Sequence, residues 1–417
     1  MRLPINMPRM SLKRASHRVV LKVQEVAVVV VTKLVALSSI KASFCHVLSA
    51  CLIFFSFISH GAVLDDDKAD ILYHSYEGGG MKIDGPALLI RKKASESVAV
   101  SAFYYVDTIS SASVDVMSTA SPYTEERKEG QLGIEYLHDK TIVSVSIGKS
   151  DENDYLAHSI SVNISHDTFG DLTNVNLGLS YGDDDVMRNG DENFKAESKH
   201  YRIRAGLSQI LTRNLTASIN IEGVSDEGFL NNPYRTVRYV DNSLPSGVAY
   251  QAEVYPNTRN SFAIKLSASY YLPYKAALFS HYRYFNDSWD ISAQDFELGY
   301  RHPFGDHLEL ELKVRSYQQS QASFYSDLFS HRDAQNFLAR DKELSEFDDF
   351  TLGFGLTYKL PAYLFPENIS SEATIQWDRI KFDYHNFRDP TANAAVGEEP
   401  LYGFSADVIR AFFSVYF

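Results

Sequence analysis

The chain has 417 residues, 45% apolar, 22% charged and 13% aromatic, with 26 Tyr and 26 Phe but only 2 Trp. Charge is divided unevenly: residues 1–62 hold eight Lys/Arg against the single acid Glu25, while the other 355 hold 32 basic and 52 acidic groups, a net of −20. So acidic a body lacks the basic footprint of a nucleic-acid binder. Both cysteines, Cys45 and Cys51, lie in the first 62 residues, which excludes a disulfide framework, a thiol nucleophile or Cys-ligated zinc from the rest.

Residues 42–58 (ASFCHVLSACLIFFSFI) are a long apolar run without charge, preceded by Lys41 and followed by His60-Gly61-Ala62 and then Asp65-Asp66-Asp67. A basic flank, an apolar centre and small residues at the exit describe a secretory signal peptide cleaved near Ala62. Residues 1–40 are long for its leading region, which fits a start codon assigned too far upstream. Residues 1–62 are therefore expected to be removed, and 63–417 to form one domain.

From residue 69 onward the pattern has period two. Ten segments carry it: Leu132–Tyr136, Val143–Ile147, Ile160–Ile164, Val175–Tyr181, Tyr201–Leu207, Leu215–Ile221, Phe262–Leu272, Phe296–Tyr300, Leu308–Val314 and Phe350–Leu360. Their 40 positions on one face are all apolar or aromatic; of the 30 on the other, only Ala263 and Tyr271 are neither polar nor Gly. Strict alternation marks strands with one apolar and one polar face. A soluble sandwich also alternates, but two of these runs last 11 residues, the length of a tilted membrane strand. In lipid every backbone group must be bonded internally, so the β solution is a closed barrel.

Short turns near Ala94–Ser97, Asp139-Lys140, Phe169–Asp171, Leu211–Asn214, Pro273-Tyr274, Pro303–Asp306 and Pro361–Pro366 alternate with mostly longer connections. Such alternation is the habit of outer-membrane barrels, with periplasmic turns and external loops. Fifteen strands follow from Ala87 to Phe417, and Ala69–Tyr76 supplies one more, giving an all-β, antiparallel barrel of about 16 strands. Tyrosines near strand ends (Tyr104, Tyr105, Tyr136, Tyr181, Tyr270, Tyr271, Tyr282, Tyr284, Tyr358, Tyr384) suit interfacial girdles against outer-membrane lipid. The final strand alternates through Phe413, Val415 and Phe417, resembling the carboxy-terminal signal by which Gram-negative barrels engage the barrel-assembly machinery.

Glu77–Lys92 (EGGGMKIDGPALLIRK), Tyr104–Arg127, Asp226–Tyr239 (DEGFLNNPYRTVRY) and Asp333–Ser345 resemble a proteobacterial family of secreted proteins catalogued only as a domain of unknown function. The resemblance covers essentially residues 68–417 and implies an outer-membrane barrel, with no activity attached. Members are encoded beside small lipoproteins, thioredoxin-like proteins and flavin transferases, which implies an envelope pathway and a small lipoprotein or other envelope partner.

The polar face predicts lumen-facing charges of both signs: Glu135, Arg202, Arg204, Glu222, Lys265, Arg283, Glu297, Arg301, Glu309, Glu311, Lys313 and Arg315. They can set ion preference in a water-filled channel or brace the wall as an ion-pair lattice. Asp183-Asp184-Asp185 and Asp191-Glu192 are expected to share an external loop, 182–198, as a solvated acidic segment and not a metal site. Asp333–Leu344 alternates charge at helical spacing and suggests a short helix, either packed into the pore or lying outside. Ser165-His166-Asp167 is no triad, because adjacent residues point to opposite faces of a strand, and no His motif has metal-ligand spacing. No cofactor, metal or catalytic site is expected. The reading is a channel or transporter for small polar solutes or ions in the Gram-negative outer membrane; the alternative is a non-conducting barrel that binds or helps assemble envelope proteins.

Overall fold

The computed structural model describes residues 63–114, 117, 123–366 and 368–417; the expected signal peptide in 1–62 lies outside them. Sixteen strands close a single barrel: β1 (Lys68–Gly78), β2 (Met81–Ser95), β3 (Val98–Ser111), β4 (Tyr123–His138), β5 (Thr141–Asp151), β6 (Tyr155–Thr168), β7 (Thr173–Met187), β8 (Lys195–Thr212), β9 (Leu215–Gly228), β12 (Thr258–Tyr271), β13 (Ala277–Asp287), β14 (Ser292–Phe304), β15 (Leu308–Gln319), β16 (Phe347–Lys359), β17 (Ser370–Arg388) and β18 (Leu401–Tyr416). The remaining two, β10 (Thr236–Val240) and β11 (Val248–Ala252), pair only with each other. Barrel strands are antiparallel to their neighbours, and β1 closes the ring by pairing with both β2 and β18. No helix among the described residues is long and apolar enough to cross a membrane. The strands span it.

Period two builds the wall. On β16, Phe350, Leu352, Phe354 and Tyr358 are exposed, whereas the intervening Asp349 and Thr351 are buried. The outward run Phe350–Tyr358, at ~3.4 Å per residue and a tilt of ~40°, is about 21 Å tall, close to the ~25 Å apolar band of such barrels. Water would make so continuous an apolar exterior costly; lipid makes it stabilising. Polar atoms mark where the band ends. Trp377 Nε1 donates to Asp407 Oδ1 at 3.0 Å and Tyr73 OH to Asp84 Oδ2 at 2.8 Å, which suits rings whose bodies lie in the apolar layer and whose tips are wet. Tyr105 and Tyr384 do not belong to a girdle. Tyr105 stacks on His74 on the inner face, and Tyr384 is buried in an aromatic cluster inside the barrel.

One end of the barrel carries the short hairpins (the turn end) and the other the longer connections (the loop end). Several strands run further toward the loop end than the alternation suggests. Asp183-Asp184-Asp185 lie within β7, not in a loop; Asp184 is buried, taking a hydrogen bond from Tyr155 OH. Above the membrane both faces of a strand are wet, so pairing continues after the apolar signal has stopped. The helix expected at Asp333–Leu344 is also absent: only Lys342–Leu344 makes a single 3-10 turn. There the backbone bonds outward instead, Leu338 N to Val254 O at 2.8 Å and Val254 N to Leu338 O at 2.9 Å.

Candidate functional site: inner wall and cap

The inner wall is laced with ion pairs between strand neighbours. Glu135 meets Arg91 at 2.5 Å; Arg204 and Arg202 reach Glu222 at 2.7 and 3.6 Å. Arg301 bridges Glu309 at 3.3 Å and Glu311 at 2.5 Å, both on β15. Lys313 contacts Asp378 at 3.1 Å, and Arg315 contacts Asp349 at 3.3 Å. Glu297 faces His281 at 3.5 Å, Arg283 lies over the Phe285 ring, and Lys265 stands opposite both Arg283 and Asn220 in register. Sequence reasoning missed the partners Arg91, Asp295, Asp349, Asp378 and Arg410. Each shares the polar parity of its strand but lies outside the ten alternating segments; Arg410 stands 2.9 Å from Asp378.

Three histidines on this wall each face carboxylates: His74 with Asp107 at 2.6 Å, His281 with Asp295 at 2.6 Å, and His200 between Asp184 at 3.0 Å and Asp226 at 2.7 Å. Ser198 Oγ lies 3.4 Å from His200 Nε2, which with Asp226 on Nδ1 resembles a serine triad in outline. The chemistry does not follow. Asp184 sits on the same Nε2, so both ring nitrogens carry protons toward carboxylates and neither offers a lone pair to a serine hydroxyl.

The loop end is roofed by a folded cap. Val114, Tyr255, Trp289, Ile291, Ala322, Phe324, Tyr325, Ala339 and Leu344, all from connections, bury themselves with Tyr384 and Phe387 of β17. Phe382 and Tyr384 alternate with the outward Ile375 and Trp377, so this cluster packs against the inside of the barrel. A second small core, Val237, Phe329 and Leu338, ties the β10–β11 hairpin to the 320–346 connection. Between them lies a buried ionic knot. Arg238 reaches Asp327 at 2.6 Å and Glu399 at 2.5 Å, Arg340 reaches Asp327 at 3.0 Å, and Arg340 also lies over the Phe387 ring. Three connections and one strand end are thus joined by charges that each need a partner, since a lone buried ion is costly. Along the rim, Tyr234 OH donates to Asp154 and accepts from Asn189 N, anchoring the 229–257 connection to the nearby β5–β6 and β7–β8 connections.

Near that anchor, Glu125, Glu152 and Asp154 bring ligand oxygens within 4.8 Å of one another. Burial first, then repulsion from Glu125 and Asp154, holds the Glu152 carboxyl above its ordinary range, with Arg127 opposing. Three hard oxygens of this kind suit Ca²⁺ or Mg²⁺ chemically.

Residues 113–368, more than half the chain, match the family model described as a protein of unknown function, DUF3570. The chain belongs to that family. No curated protein matches it. Among solved structures, the DUF3570 barrel is similar to a bacterial polysaccharide outer membrane secretin, at 8% identity and TM-score 0.46, over 85% of this chain and 99% of that one. It is similar also to the siderophore receptor PirA from Acinetobacter baumannii (9% identity, TM-score 0.44, covering 85% of this chain and 60% of that chain). A Pseudomonas aeruginosa FadL homologue is a third (10%, 0.40, 85% and 90%). These likenesses say nothing of what this chain carries; its outer-membrane character rests on the lipid-ready wall.

Proposed function

We propose that the DUF3570 barrel is a channel of the Gram-negative outer membrane for small polar solutes or ions, exported through the signal peptide in residues 1–62, with its loop end outside. One observation carries this reading. Sixteen strands enclose a lumen wide enough for water, and the face opposite the apolar one is polar along the middle of β5 to β9, with Ser144, Ser146, Ser161, Asn163, Asn176, Ser180 and Asn220 among its side chains. The twelve charges named above line the same passage and set its ion preference.

The cap favours a second reading, a non-conducting barrel whose roof meets an envelope partner such as a small lipoprotein. Planar-bilayer recording decides between the two. The intact protein is expected to show a small conductance that grows when residues 323–343 are replaced by a short Gly-Ser linker. No current from either, with folding shown by heat-modifiable migration, assigns the barrel the partner role. The carboxy-terminal signal is tested separately: removing Phe417 should lower the fraction assembled in the membrane in cells, while refolding into detergent is little changed.

A further inference from the structure

We infer that Glu253 is the proton switch of the cap, closing the seam between the 229–257 and 320–346 connections when its carboxyl is protonated and parting it when the carboxyl is ionised. Glu253 is 4% exposed and lies in that seam. Its Oε1 accepts the backbone N–H of Arg340 at 2.7 Å, and its Oε2 lies 2.8 Å from the Tyr255 hydroxyl, whose oxygen accepts the carboxyl proton when Glu253 is neutral. On one side Val254 and Leu338 join the two connections by a pair of backbone hydrogen bonds; on the other Tyr255 packs against Trp289 and Phe324. This stretch of the seam is centred on one carboxyl; further along, the Arg238–Asp327 pair and the Val237–Phe329–Leu338 core hold the same two connections together, so what parts is the stretch beside Glu253.

The charges around Glu253 come from both connections. From 320–346, Asp341 repels it, while the Arg340 side chain is turned away to Asp327. From 229–257, Arg235 attracts it but is itself paired with Asp341. The 288–291 turn contributes the neutral Trp289, and Arg259 and Asp287 beyond it neutralise each other at 2.6 Å. Burial first, then Asp341, pushes its carboxyl up from 4.5 to about 7, against the Arg340 N–H, Arg235 and the Tyr255 hydroxyl.

The sign follows by linkage. A carboxyl whose affinity for protons is raised in the closed seam contributes stability that is complete below its ordinary value and lost as pH rises through about 7. Between pH 5 and pH 8 the closed-to-open ratio should fall by a factor on the order of 50 to 100. The cap tightens in acid and loosens in mild alkali. What the seam controls rests on the channel reading; that it opens does not.

Trp289 reports on the seam directly, since the only other described tryptophan is Trp377 on the lipid face. In the full barrel carrying W377F, in lipid, acrylamide quenching of Trp289 should rise between pH 5.5 and 8.5 with a midpoint near neutrality, and bilayer conductance should rise with it. In E253Q, quenching should stay low throughout. Asp341→Asn removes the repelling carboxylate beside Glu253 and should move the midpoint down by roughly one pH unit, a shift that a merely structural role for Glu253 does not produce; it also serves if E253Q fails to assemble. Quenching that titrates without any conductance supports the switch and removes the channel. Quenching that does not change with pH, or an unmoved midpoint in Asp341→Asn, overturns the switch.

Discussion

Gly299 lacks a side chain because Phe279 occupies the space one would take: a Cβ there would sit 2.0 Å from the Phe279 ring tip. The ring lies over the neighbouring strand's bare backbone, and Arg301 stacks on its other face. Gly299→Ala should therefore destabilise the barrel by about 1–3 kcal/mol, the usual cost of overpacking, measured by urea titration in bilayers. Adding Phe279→Leu should recover most of it; equal loss in single and double variants would show that the ring is not the obstacle. Adjacent residues on β15 make the complementary point. Leu312, exposed to lipid, should cost about 2–3 kcal/mol when changed to Arg, whereas Glu309→Gln, which weakens a half-exposed ion pair, should cost under about 0.5 kcal/mol. If both are tolerated equally, the register of β15 is wrong.

At the scale of elements, the barrel and its cap are held by different forces and should fail separately. Strands are secured by ladders closed on themselves. Loops are secured by two small apolar cores and the Arg238–Asp327–Glu399–Arg340 knot. Arg238→Met strands the buried Glu399, while Asp327 keeps Arg340, and should loosen the cap by about 3–5 kcal/mol, seen as increased Trp289 quenching with unchanged heat-modifiable migration. Arg238→Met combined with Glu399→Leu should cost less than the single change, because one orphaned charge is removed with its partner. Strands were legible in the sequence wherever lipid touched them, since lipid imposes alternation on one face. Their ends were not: Asp183–Asp185 continue β7 in water, where no solvent contrast writes a pattern. Nor was the cap, whose partners Arg238, Asp327 and Glu399 stand far apart in the chain and recognise each other only after the barrel has brought their loops together. Tyr105 and Tyr384 show a narrower failure. Position near a strand end placed them with the girdle tyrosines, while their parity, one step from Tyr104 and an odd distance from Trp377, already put them on the inner face.

For the whole molecule, the seam between β1 and β18 decides when there is a barrel at all. Lys68 stands opposite Tyr416 and Gly78 opposite Ala406, while Phe417 N bonds Asp67 O at 3.1 Å and Lys92 covers the Phe417 ring. These two strands are the first and last of the sixteen to be synthesised. Contacts between such distant segments form slowly, after the entropy of a long loop has been met. A chain stopped before β18 has no smaller barrel to fall back on. It keeps two raw edges, which lipid does not tolerate and which in water invite pairing with other chains. Insertion is thus all or nothing in time as well as in space: until its last strand arrives, the protein is a passenger that something else must shelter.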